Sequence, residues 1–175
     1  MNVYLSKLSE GDAEELFQFE SINRAFFEQM IPSRGDLYYE YETFYSYHLQ
    51  LLEEQKNEQC LFYLMRNTDS HIVGRVNLID LDEEGMMSIG YRIGELFIGK
   101  GMATEAVRLI IEKAAAHPKV KRISGKTTEN NIPSQKVLER NGFILTAADE
   151  DNFYTNDRGE SFRFVQYILD VEGHK

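Results

Sequence analysis

Basic residues, cysteine and proline are all scarce in this 175-residue chain. Lysine and arginine number 19 against 29 aspartates and glutamates, a formal net charge of −10. That deficit argues against a general nucleic-acid binder, which needs a basic face to displace phosphate counterions. It suits a cationic partner such as an amine. The lone cysteine, Cys60, excludes an internal disulfide framework and fits a reducing compartment. No apolar run approaches the roughly 20 residues that span a bilayer, and residues 1–7 have neither the charged head nor the apolar centre of a signal peptide. The expectation is a cytoplasmic protein with no membrane attachment. His48, His71, His117 and His174 show no ligand spacing with one another or with Cys60, so no metal is expected.

The composition that is present, 42% hydrophobic and 27% charged, is that of a folded chain, and the length suits a single domain over residues 1–175. The three prolines, Pro32, Pro118 and Pro133, each fall at a boundary between elements. Alternation predicts a first strand over Val3–Leu8, and Asp12 opens a helix with Glu14 and Glu15 at its positive end. A loop at Pro32–Asp36 precedes a second helix from Tyr39 to about Lys56. Three strand-like runs follow, Cys60–Asn67, His71–Leu81 and Met86–Ile93, separated by turn-forming pairs. Gly101–His117 carries the strongest helical periodicity, through Ala103, Ala106, Val107, Ile110, Ile111 and Ala114. Lys121–Thr127 reads as a strand, Ile132–Arg140 as a short helix stopped by Gly142, and Phe143–Ala147 and Phe162–Val171 as the last strands. This order predicts an α+β protein with a mixed sheet and helices on both faces.

The chemistry is expected between Ile89 and Thr104. There a strand ends at Ile93, a loop carries Gly94, Gly99 and Gly101, and the long helix begins. A helix N-terminus offers unpaired N–H groups and about half a positive charge, and glycines let an anion approach the backbone closely. A plain tight turn with a helix cap explains the glycines equally well. Gly94–Lys100 also fits most of a nucleotide-triphosphate P-loop, except that Gly101 stands where a magnesium-binding Ser or Thr is needed.

A second motif covers the same loop. Ile98-Gly99-Lys100-Gly101-Met102-Ala103, within the wider run Ile89–Ala106, resembles the acyl-CoA signature of the GNAT N-acetyltransferase superfamily, and most of all its ribosomal-protein N-terminal acetyltransferase branch. Asn131-Ile132-Pro133-Ser134, followed by Leu138-Glu139-Arg140-Asn141-Gly142-Phe143, resembles the second block of that family, in the right order and at the right separation. The resemblance implies a GNAT-like fold whose mostly antiparallel central sheet is splayed into a V. It implies acetyl-CoA as cosubstrate, its arm along Tyr91, Arg92 and Ile93, its pyrophosphate on the turn formed by Ile98, Gly99, Lys100, Gly101, Met102, Ala103 and Thr104, and Asn131 and Ser134 near the thioester.

Ile98 replaces the usual Gln or Arg, Ser88 stands where many members carry an acidic residue, and Leu138 stands where many carry a proton-donating tyrosine. Ser134 is left as the candidate acid, with backbone bonding in the first turn of its helix as the alternative role. A site without a strong base suits an α-amine, with a pKa near 8, better than a lysine amine near 10.4. Asp80, Asp82 and Glu83 could still act through water. The tyrosines around the second helix, Tyr38 and Tyr39 foremost, and Ser88 are expected on the acceptor side. Asp149, Glu150, Asp151 and Asp157, read as a loop between the last strands, could attract a cationic acceptor. The reading is an N-acetyltransferase acting on an amine, foremost a protein or peptide N-terminus. A small cationic amine as acceptor, or a non-catalytic acyl-CoA-binding module, stays open, as do a monomer and a homodimer.

Overall fold

A computed structural model describes residues 2–156 and 158–172. Seven strands form one sheet: β1 (Tyr4–Lys7), β2 (Leu61–Arg66), β3 (Ile72–Ile79), β4 (Met86–Ile93), β5 (Arg122–Thr128), β6 (Ile144–Thr155) and β7 (Ser161–Asp170). Their order is β1-β2-β3-β4-β5-β7-β6, and every neighbouring pair is antiparallel except β4 with β5. The helices are α1 (Ala13–Ile22), the one-turn α2 (Arg24–Phe27), α3 (Tyr41–Lys56), α4 (Met102–Ala115) and α5 (Ile132–Arg140). The mixed, mostly antiparallel sheet with helices on both faces is the expected architecture.

Alternation along the strands sorts side chains into two cores. Val73, Val76, Leu78, Met87 and Ile89 pack under Ala106, Val107 and Ile110 of α4 and Leu138 of α5. On the other face Phe62, Leu64 and Ile72 pack against Leu16 and Phe19 of α1, Phe27 of α2 and Phe44 of α3. Arg75, Asn77 and Ile79 alternate with Val76 and Leu78, so they point to this second face.

Three boundaries differ from the expectation. α3 begins at Tyr41 because Glu40 is extended, with φ −92° and ψ 127°. α2 is a single turn, too short for periodicity to reveal. β6 runs on to Thr155 instead of ending at Ala147, so residues 149–151 belong to a strand rather than a loop. A register shift between Asp149 and Phe153 carries it past the polar stretch to pair Tyr154 with Phe162. Asp157 and His174 lie outside the described residues.

Candidate active site

The site is built where two neighbouring strands part. β4 and β5 pair only from Met86↔Arg122 to Ile89↔Gly125. Beyond that point β4 remains paired with β3 through Ile93, and β5 with β7 through Thr128, so each keeps a partner on its outer side alone. Their inner edges present backbone N–H and C=O groups to a wedge-shaped opening. Gly125 sits at its apex. A Cβ there would lie 2.9 Å from Leu138 Cδ2, so the glycine lets α5 settle against the fork. At the closed end, Ser88 Oγ and Ser124 Oγ are 3.2 Å apart.

A cleft of about 800 Å³ occupies this opening and runs to the start of α4. Gly99 and Gly101 both have positive φ, 72° and 76°, and a Cβ built on either would meet no heavy atom within 4 Å. Packing therefore does not require glycine at either position. The left-handed backbone does, and the space above it is open. Gly101 is the N-cap residue of α4 and, being glycine, has no side-chain acceptor for the N–H groups of the first turn. Met102 is buried at 1% exposure and anchors the helix start.

α5 brings two hydroxyls together on the opposite wall. Asn131 caps the helix, its Oδ1 accepting from Ser134 N at 3.2 Å. The Ser134 hydroxyl is thus not needed as the cap. It lies 3.0 Å from the Tyr91 hydroxyl, which also donates to the Ser134 carbonyl at 3.1 Å. Burial pushes the Tyr91 phenol up to about 12, against the smaller opposing pull of the Ser134 hydrogen bond. Further hydrogen bonds fix α5. Asn141 Nδ2 donates to Thr104 O of α4 at 3.1 Å, and Gln135 Nε2 donates to Thr128 O and Glu129 O at 3.1 and 2.9 Å.

Tyr91, Arg92 and Ile93, then Ile98, Gly99, Gly101, Met102, Ala103 and Thr104, and finally Asn131 and Ser134, all line the cleft. Lys100 does not: its Nζ turns back to donate to Leu96 O at 2.8 Å and sits over the Phe97 ring. Ser88, at the closed end of the fork, is not on the cleft wall either. Tyr38 and Tyr39 stand one layer behind the wall. The Arg34 guanidinium lies 4.7 Å from the Tyr38 ring centre, and that of Arg24 lies 4.3 Å from Tyr39's. Asp80, Asp82 and Glu83 also stay off the cleft, and the Asp82 carboxylate accepts from the N–H groups of Glu84 and Met86 in its own turn.

Sequence reading missed the second half of the cleft. Phe26, Phe27, Met30 and Ile31 give it an apolar side, and Arg34 and Arg75 join Arg92, expected only along the acetyl-CoA arm, in a cationic one. Arg75 and Arg92 each bind one oxygen of the Glu20 carboxylate at 2.9 Å, and Glu20 has no exposed side-chain surface. For Arg75 the available signal was an arginine inside the Val-, Ile- and Leu-rich run of β3. Among the described residues, no aspartate or glutamate lines the cleft.

Residues 2–144 match the family model described as an acetyltransferase (GNAT) domain. The chain is 34% identical over 169 residues to Probable N-acetyltransferase YjcK of Bacillus subtilis (strain 168), covering 95% of this chain and 93% of that one. In fold it is similar to the ribosomal-protein-S5-alanine acetyltransferase of Vibrio fischeri, with a TM-score of 0.89 at 20% identity over 100% of this chain and 96% of that one. It is also similar to the microcin C7 self-immunity acetyltransferase MccE, solved with acetyl-CoA and AMP, with a TM-score of 0.83 at 23% identity over 96% and 92% of the two chains.

Proposed function

Because the chain belongs to the GNAT acetyltransferase family, we propose that the acceptor of its acetyl group is the α-amine of a protein or peptide N-terminus. The protein is an acetyl-CoA-dependent N-acetyltransferase; the acceptor and the residue roles are our reading. The observation that carries it is the lack of any carboxylate on the cleft wall among the described residues. An α-amine with a pKa near 8 is about one-tenth neutral at pH 7, whereas neutralising a lysine amine costs about 4–5 kcal/mol. A cleft without a base to meet that cost favours the α-amine. The fork between β4 and β5 supports the same acceptor, since unpaired strand edges bind an extended peptide.

In this reading the open turn at Gly99–Thr104 receives the pyrophosphate of acetyl-CoA, and the thioester lies towards Ser134. The neutral amine attacks the thioester carbonyl and forms a C–N bond. Backbone N–H groups of the fork hold the resulting oxyanion. Collapse breaks the C–S bond, and Ser134 or a water protonates the departing thiolate while the acetylated amine sheds its extra proton to solvent.

The experiment offers peptides in which an N-terminal amine and a lysine are both free. Mass spectrometry should place the acetyl group on the N-terminus, and acetyl-lysine as the main product would overturn the reading.

A further inference from the structure

The acceptor side of the cleft has a charge that neither the composition nor the transfer reaction accounts for. The chain carries a net charge of −10, yet three guanidiniums gather here around one carboxylate. Arg75 and Arg92 share Glu20, each through a single nitrogen. Arg34, from the loop after α2, stacks on Tyr38, and its charge is felt at the same Glu20 carboxylate. The site therefore holds about two positive charges in excess.

The excess is built rather than incidental. Arg75 is 4% exposed, and its Nε is a buried donor with no hydrogen-bond partner. Asn77 Oδ1, which also faces the cleft, is buried and unpartnered too. Arg92 packs 5.0 Å over the Phe27 ring, so an apolar wall backs its charge and weakens its screening. Burial and the nearby charges of Arg34 and Arg75 act to lower its pKa, against the pull of Glu20. Unpaired charge at such a site is costly unless a ligand completes it.

The charge also lies on the correct side. Ile89, Tyr91 and Ile93 face α4 and α5, where the hydroxyl pair sits, whereas Arg92 faces α1 and Glu20. The fork connects the two faces. An acceptor entering opposite the α4 turn would present its amine at the fork and leave its next residues beside Arg34 and Arg92.

We propose that the acceptor peptide carries a carboxylate, as an acidic side chain directly after its N-terminal residue, and that Arg34 and Arg92 bind it. This rests on the N-terminal-amine reading and narrows it. A charge-assisted contact with guanidinium in a partly buried site is among the stronger polar contacts.

The test uses pentapeptides beginning Ser-Asp, Ser-Asn and Ser-Lys, with free aspartate as a separate arm, and thiol release as the readout. The acidic peptide should exceed the neutral one at least tenfold in kcat/KM, mainly through KM, and the basic one should be poorest. Arg34→Gln, at an exposed loop position, should bring the acidic and neutral peptides to within about threefold of each other, consistent with loss of one charged contact. Equal rates for the first two peptides would overturn the proposal and leave the N-terminal reading standing. A full preference retained in Arg34→Gln would also overturn it. Acetylation of free aspartate with no peptide acetylated would overturn the N-terminal reading itself.

Discussion

Ser134 and Tyr91 form a hydroxyl pair in which the two members have different tasks. At about 12, the Tyr91 phenol stays protonated through the physiological range, so it can donate a hydrogen bond but cannot serve as a base. Ser134 has its backbone N–H taken by Asn131 and its hydroxyl directed to Tyr91, which leaves the hydroxyl oriented on the cleft wall. Ser134→Ala should lower kcat by about 10- to 100-fold with acetyl-CoA still bound, the lower part of the range for general acid catalysis because water can substitute. Its melting temperature should barely change, since Asn131, not Ser134, caps the helix. Tyr91→Phe should cost less, about 3- to 10-fold in kcat, because it removes only the group that orients the acid. Steady-state kinetics beside a melting curve checks both, and a Ser134→Ala kcat within twofold of the parent would remove Ser134 from the mechanism.

The element that matters most is the turn into α4, where strain and charge can be separated by mutation. Gly101→Ala introduces a methyl at φ 76° with no clash in reach, so it should cost about 1–2 kcal/mol of stability and little affinity. Gly101→Asp adds the same strain plus a negative charge where the pyrophosphate would sit, and should weaken acetyl-CoA binding more than tenfold. Calorimetry on the folded pair distinguishes them, and equal affinities would refute the placement of phosphate on this turn. Local pattern made this element legible: periodicity marked α4 to within two residues of its end, and the glycines marked the turn. The turn before α5 was similarly legible through Asn131 and Pro133. The cationic wall was not. Arg75 and Arg92 are paired through Glu20, which is 55 and 72 residues away in sequence, and no local pattern joins them. Nor could composition place Tyr38 behind Arg34 rather than on the cleft, because that depends on its tertiary packing against Phe44 and Tyr47 of α3. The acidic run in β6 reads as a loop in sequence for a related reason: residues 150–152 fall in the register shift between Asp149 and Phe153, and the strand is continued by the β7 pairing on either side of them, which no local pattern reveals.

At the scale of the whole molecule, Glu20 joins the two halves of the acceptor wall. It projects from α1, and its two carboxylate oxygens hold β3 through Arg75 and β4 through Arg92. Burial alone would raise its pKa, but the guanidiniums of Arg75 and Arg92 outweigh this and hold it below the ordinary glutamate value. A carboxylate depressed in the folded state binds fewer protons there than in the unfolded chain. Its contribution to stability is therefore complete above the unfolded value, near 4.3, and is lost as the pH falls through the lower native value. Glu20→Gln keeps the shape but leaves two buried guanidiniums without their counter-charge, which should cost about 3–5 kcal/mol at pH 7. The gap in melting temperature between parent and variant should then be widest at neutral pH and close progressively below about pH 4, where the parent's own carboxylate becomes protonated. Calorimetric scans from pH 7 to pH 3 measure that gap directly. A gap that stays constant to the lowest pH at which both proteins fold would mean that Glu20 acts through packing rather than charge, and the wall it holds would then owe its geometry to Phe27 and Tyr38 instead.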